Sequence, residues 1–525
     1  MMAVAPTQYP YVPGRSHAPA ALRLWPAGPL ALVAALFALI WTANLAFTSA
    51  SPPADNIEQM LWVQSLEWGY HKHPPLPTWL FWIPVQLFGN QVATTYVAAA
   101  LTNLASIAVF WQLLRKLRGS RFAFIAVLAV LCISYYNARF TTYNHNTVLM
   151  LVSTASAVLC WQACSTGRLR WWIGLGATLG LGLLTKYQIA VTMASVLVFW
   201  SLQGGWRDAT LRRGLLFAIL TALLMFVPHV QWLRNHDFGP ISYAIDSSLG
   251  ARLTGPERLF DTLNWLADQL LNRALAAWIL LIAVVALHRQ VNRAGARSSL
   301  ARVTVLPERH RDAARTFLLS WGLVPLVFMP LVGLVAGSHL HLPWGTAFLL
   351  FAVPMVMELL RSRVRWSMIP PRSTTGVFLA VQAASLLLSA GTSPLGPIGL
   401  RDRHWRSFDS ASMARQLEPA LRKALAGRVV ATIDGPEVLA GALALQLPER
   451  PQVLIDGWLD RSPWVSPAIL ASGPTLHLRV GPPIPGEAPV GGAYTGVAWR
   501  LSWPPSTAPA GAQSASHAPA SLPLK

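Results

Sequence analysis

Charge is scarce in this chain, and acid is the scarcer half of it. Charged residues make up 12% of the 525 positions, where a soluble domain carries about a quarter. That shortage excludes a large globular body wetted on every side. Cysteine is also rare. Cys132, Cys160 and Cys164 are the whole supply, all in or beside apolar segments. With no CxxC pair, a secreted disulfide framework is excluded, and the three read as small buried hydrophobes. The first 27 residues are too rich in proline and polar groups to open a signal peptide, and the first apolar run lacks a cleavage site. That run therefore reads as a retained span. No internal repeat of the kind found in many secondary transporters is visible. Asp and Glu total 21 against 41 Lys and Arg, for a net charge of +20. The basic residues lie in short clusters between apolar runs. Such clusters are topology signals and contacts for anionic lipid, and no nucleic-acid partner is expected.

What the chain has in quantity is apolar sequence, 54% hydrophobic by count with a mean hydropathy of +0.43. The pattern predicts a polytopic α-helical membrane protein with about eleven spans. They fall near 28–48, 92–114, 122–137, 147–164, 171–185, 188–203, 214–233, 270–288, 316–336, 345–360 and 375–391. The loops alternate in charge. One set carries Arg115, Lys116, Arg118 and Arg121, then Arg168 and Arg170, Arg207 to Arg213, Arg289 to Arg315, and Arg361 to Arg365. The other set holds Asp55, Glu58, Glu67, Asp237, Asp246, Glu257 and Asp261. The positive-inside rule puts the first set and the tail 1–27 in the cytoplasm. An odd number of spans then places the C-terminus outside. Residues 28–391 form the membrane domain, with long outer loops at 49–91 and 235–269. Trp79 to Leu87, interrupted by Pro84, reads as a helix along the membrane surface.

Beyond Gly391 the pattern changes. Arg428–Ile433, Gln452–Ile455 and Thr475–Val480 read as strands, with a helix over Pro436–Leu447. Residues 392–503 are thus expected to be a small α/β domain in the periplasm. Residues 504–525, rich in Pro, Ala and Ser, read as disordered.

Candidate functional groups gather in the outer loops. The stretch from Ala54-Asp55-Asn56 to Tyr70-His71-Lys72-His73-Pro74 sets acid, base, imidazole and aromatic groups between two apolar runs. Asp55 lies just past the first span, where a carboxylate meets both lipid headgroups and a water-soluble acceptor. Tyr143-Asn144-His145-Asn146, Thr185-Lys186-Tyr187-Gln188 and His339-Leu340-His341 sit at outer ends of further spans. Lys186 is either an interface anchor that snorkels or a point charge for a phosphate. His145, His339 and His341 lack the spacing of a metal site and are read as hydrogen-bonding groups. No metal is assigned, and the cofactor requirement is left unknown.

Several of these stretches, taken in order, carry a resemblance. They are an Asp in the first outer loop, Trp68-Gly69-Tyr70 running into His73-Pro74-Pro75-Leu76, Gly180-Leu181-Gly182-Leu183-Leu184-Thr185-Lys186-Tyr187, and His236-Asp237-Phe238 before Ile241-Ser242-Tyr243-Ala244. Over roughly residues 25–360 the chain resembles the bacterial members of the dolichyl-phosphate-mannose protein mannosyltransferase family. These are glycosyltransferases of the GT-C fold, and the lipid A aminoarabinose transferases are their relatives. The resemblance implies a polyprenyl-phosphate-linked sugar as donor and an envelope acceptor reached from the outer face. Asp55 would be the catalytic carboxylate and Lys186 a donor-phosphate contact. Lys72, His73, Tyr70, Asn144, His145, Arg252, His339 and His341 complete the expected substrate-binding set. Two departures from the family pattern are visible. Asn56 stands where a second acid is usual, and Asn144-His145-Asn146 replaces a motif with another Asp, so a carboxylate pair is not implied. The alternative reading is a transporter or flippase of lipid-linked or small solutes. It needs ionisable groups near the bilayer midplane, for which His229 is the main candidate.

Overall fold

The computed structural model describes residues 27–249, 253–293, 308–398 and 405–504. Five of its helices are long and apolar enough to cross a membrane: Val92–Arg118, His145–Thr166, Ala209–Asn235, His310–Ala336 and Pro371–Gly391. A sixth crossing arises if the bent pair Gly255–Arg273 and Leu275–Gln290 counts as one. The chain is a multi-pass membrane protein. Every run expected as a span contains a helix, but several are short. Leu169–Leu183 and Ala190–Leu202 have 15 and 13 residues, which at the α-helical rise reach only about 20 Å.

Two expected spans depart further. The run at 122–137 is helical only over Ser120–Val130, and the chain then turns repeatedly up to Tyr143. The run at 345–360 opens with two 3₁₀ turns and is α-helical only over Ala352–Leu359. The two irregular stretches satisfy each other. The Tyr136 hydroxyl donates to Thr346 O at 2.7 Å and accepts from Leu350 N. Non-helical backbone at this depth is tolerated where protein covers it.

Small residues bring the helices together. Helix Leu169–Leu183 packs along Ala209–Asn235 so closely that a Cβ on Gly176 would lie 2.3 Å from Ala218 O, and one on Gly180 2.9 Å from Met225 Cβ. Lipid tails offer no hydrophobic gain for helix pairing, so such close backbone approach and its dispersion contacts drive it. The first outer loop holds helix Ala54–Trp62 and helix Leu76–Phe88, the latter at the position expected for a surface helix. The second contains helices Gly239–Ala244 and Gly255–Ala267.

The C-terminal unit is a five-stranded sheet in the order β2-β1-β3-β5-β4. Its strands are β1 Thr432–Gly435, β2 Gln452–Ile455, β3 Thr475–Val480, β4 Ala488–Pro489 and β5 Val497–Ser502. β1 pairs in parallel with β2 and β3, and β5 runs antiparallel to β3 and β4. The expected strand at 428–433 is shifted toward Gly435, and β4 and β5 have no counterpart in the sequence reading. On one face Asp434, His477 and Ser502 form a hydrogen-bonded row across three strands. Helices Ser410–Leu425 and Glu437–Ala444 cover the sheet, the first through Met413, Leu417, Leu421 and Leu425. Leu61, Trp62 and Tyr70 of the first outer loop are buried in the same core. The unit therefore shares its interior with the loop that carries Asp55. The expected tails, 1–27 and 504–525, fall almost wholly outside the described residues.

Candidate active site

Asp55 lies in the first turn of helix Ala54–Trp62. Its neighbour Asn56 is fully buried and ties the loop down. Asn56 Nδ2 donates to Thr95 Oγ1 and to Thr141 O, both at 2.8 Å, and its Oδ1 accepts from Tyr143 N at 2.8 Å. An amide supplies both donors and an acceptor; a carboxylate at this position has no donor for Thr141 O. The residue that departs from the family pattern is thus the anchor that aims Asp55.

Asn144 does two jobs. Its Oδ1 accepts from Asn146 N and Thr147 N, capping the 22-residue helix His145–Thr166. Its Nδ2 donates to Asp55 Oδ2 at 2.5 Å. Two residues on, Asn146 Oδ1 accepts from Lys186 Nζ at 2.8 Å. Between them His145 packs on His73, ring centroids 3.7 Å apart. One helix start therefore touches Asp55, His73 and Lys186, and it turns the positive end of the helix dipole toward them.

These groups surround a cavity of about 500 Å³. Asp55, Lys72, His73, Arg139, His145 and Lys186 form its polar part; Val191, Phe328, Met329 and Val332 are among its apolar lining. A polar end joined to an apolar wall is the form expected of a site for a charged headgroup on a chain. Lys186 is buried, with its ammonium 5.3 Å from the Trp344 ring centroid. Burial pulls its pKa down to about 7, partly opposed by Asp55. Burial, then Lys186 and Lys72, hold the His73 imidazole well below its usual range, in its neutral form. A second cavity of about 380 Å³ lies against the same acid. Tyr96, Arg139, Arg273, Trp405 and Arg406 line it, and Asp55 and Arg139 line both.

The expected residues are only partly brought together. Asp55, Lys72, His73, His145, Lys186 and His341 line the first cavity, and Asn144 reaches it through Asp55. Tyr70 does not line it: its ring stacks on Trp62 at 4.9 Å and its hydroxyl donates to Ser65 O. His339 is largely exposed and pairs with Asp261 at 2.7 Å. Arg252 lies outside the described residues. His229 is buried near the outer loop, bonded to the Tyr187 hydroxyl and to Trp68 O. Arg139 and Glu437 have no place in the sequence reading, and Glu58 is named there only as an outer-loop acid. Arg139 follows an apolar run with no motif around it. Glu437 lies some 380 positions from Glu58 and meets it only through the fold.

The model of the dolichyl-phosphate-mannose-protein mannosyltransferase family matches residues 72–232. The structure of ArnT from Cupriavidus metallidurans bound to undecaprenyl phosphate superposes with a TM-score of 0.58 at 16% identity, covering 91% of this chain and 98% of that one. The chain has the GT-C fold and is related to the lipid A aminoarabinose transferases. Among curated relatives, the lipopolysaccharide core galacturonosyltransferase RgtA of Rhizobium johnstonii is 24% identical over 434 residues, 80% of each chain. The undecaprenyl phosphate-alpha-4-amino-4-deoxy-L-arabinose arabinosyl transferase of Edwardsiella ictaluri is 29% identical over 181 residues, 32% of this chain and 31% of that one.

Proposed function

We propose that this chain is an inner-membrane glycosyltransferase that moves a sugar from a polyprenyl-phosphate donor to a lipid or glycan acceptor of the envelope, at the periplasmic face. One observation carries the reading beyond the relatives' names. Asp55, held by Asn144, stands in the wall shared by two cavities. A group there reaches a donor on one side and an acceptor on the other.

In this mechanism the donor phosphate occupies the larger cavity beside Lys186, with its polyprenyl chain along the apolar wall. The acceptor hydroxyl approaches from the smaller cavity. Asp55 takes its proton as the oxygen attacks the anomeric carbon. The new glycosidic C–O bond forms, the bond from that carbon to the phosphate oxygen breaks, and its electron pair leaves with the phosphate. Lys186, neutral for part of the time when the site is empty, gains a full charge against the phosphate and stabilises its departure. About eleven membrane passages and a periplasmic C-terminal domain belong to the same proposal. The alternative of a transporter has less support, because His229 is tied to the outer loop.

The deciding experiment uses purified protein, polyprenyl-phosphate sugar and envelope lipid acceptor in vesicles. Asp55→Asn keeps the shape and removes the base, and should lower transfer by about 10²-fold or more. Transfer at the parental rate would refute the mechanism.

A further inference from the structure

Lys72 lines the larger cavity, yet its charge is already answered. Its ammonium donates to Glu58 Oε1 and to Glu437 Oε2, both at 2.5 Å. Glu437 belongs to the C-terminal unit and opens helix Glu437–Ala444. Its other oxygen accepts from Trp62 Nε1 at 2.7 Å, and His71 Nε2 stands 3.6 Å from Oε2. The Glu437 side chain is only 5% exposed.

The cluster has more acid than base. Burial drives the His71 imidazole down to about 4 against the pull of Glu437, so it adds no charge at neutral pH. Two carboxylates therefore share one ammonium. Burial and then Glu437 raise Glu58 well above the ordinary carboxylate range, with Lys72 opposing. The same helix is pressed against the one that carries Asp55: a Cβ on Gly441 would lie 2.5 Å from Ile57 Cγ2.

We propose that Glu437 is a competing counter-ion that sets donor affinity: the C-terminal unit and the donor phosphate contend for Lys72. The inference rests on the reading of the larger cavity as a polyprenyl-phosphate site. A phosphate approaching Lys72 meets an ammonium flanked by two carboxylates, and it gains that cation fully only by loosening one of them. Glu58 sits on the helix of Asp55 and is the fixed partner. Glu437, brought in from a different unit by the fold, is the one that yields. Coupling of this kind is reciprocal, so donor binding must weaken the hold of helix Glu437–Ala444 by the factor that the helix weakens donor binding.

Two measurements on the full chain in nanodiscs test this, with undecaprenyl phosphate as the probe. Titration followed by tryptophan fluorescence should show Glu437→Gln binding about 5-fold tighter than the parent or better. In a Lys72→Gln background the same change should have no effect. Hydrogen exchange on the parent should show faster exchange over 437–444 when the lipid is added, and Lys72→Gln should abolish that response. If Glu437→Gln folds poorly, Trp62→Phe removes one anchor of the carboxylate and should shift affinity the same way by less. Binding by Glu437→Gln equal to or weaker than the parent's would overturn the proposal, as would unchanged exchange in the parent. A parent that binds no polyprenyl phosphate would instead refute the donor reading on which the proposal stands.

Discussion

Lys186 shows what burial does to a single charge. An ammonium in water is protonated far above neutral pH; here the loss of water brings it down to about 7. A phosphate in the cavity favours the charged form, so donor binding takes up a proton once the pH exceeds the free-site value. Donor affinity should be flat below pH 7 and fall above it, by at most about tenfold per pH unit. Lys72 does not share this behaviour. Burial works against its proton, but Glu58 and Glu437 outweigh it and hold the pKa above the ordinary lysine range. Lys186→Gln should therefore abolish the pH dependence and cost about 1.5–3 kcal/mol of donor binding. A parental pH profile in that variant would remove Lys186 from the site. Asn144 separates two roles in the same way. Asn144→Asp keeps an oxygen for the helix cap, so melting should change little. It replaces the donor to Asp55 with a second negative charge, and transfer should fall at least tenfold. Asn144→Ala loses the cap as well and should also cost about 1 kcal/mol of stability. If both variants kept parental activity, the Asn144–Asp55 bond would have no part in catalysis.

Among the elements, the helix pair Leu169–Leu183 and Ala209–Asn235 positions Lys186, because the lysine follows directly on the first of them. Gly176 faces Ala218 O across the contact, and backbone cannot step aside as a side chain does. Gly176→Val should therefore separate the helices and lower the apparent melting temperature. Transfer should be lost with the fold although no residue lining the cavity is substituted. A parental melting profile would show that the close approach is not needed. The sequence made such elements legible because apolar runs and glycine clustering are local properties. It made Asp55, Lys186 and His73 legible for the same reason: each is a polar group stranded between apolar runs. Tyr70 faces the core and not the cavity, and aromaticity alone does not say which of the two a ring will face. Arg139 and Glu437 were illegible because their meaning comes from what the fold sets opposite them. The ends of the spans were hidden where polar aromatics such as Tyr136 bond to a distant loop and draw the chain out of its helix.

For the whole molecule, one helix measures the separation of the two faces. Val92–Arg118 has 27 residues and so rises about 40 Å, more than the ~30 Å of bilayer hydrocarbon. Near its start Thr95 accepts from Asn56, beside Asp55. At its end Arg118 pairs with Glu358 at 2.7 Å, and Arg121 reaches Ser367 O close by. If this helix crosses the bilayer, the site and the Glu358 ion pair lie on opposite sides of it. The C-terminal unit must share the side of the site, since Glu437 bonds Lys72 directly. Basic clusters at the Arg118 end favour the cytoplasm for that side. Two single-cysteine variants test this orientation: Asp460→Cys, on an exposed turn of the C-terminal unit, and Ser362→Cys, on an exposed turn near Glu358. Cys132 and Cys160 are buried, so only Cys164 needs replacing to clear the background. A membrane-impermeant maleimide added outside spheroplasts should label Asp460→Cys and leave Ser362→Cys untouched until the cells are lysed. The reverse pattern would put the site in the cytoplasm, where a donor would have to be used on the inner leaflet. Labelling of both variants in intact cells would mean that the two turns share a face, which a helix of this length and its two pinned ends do not permit.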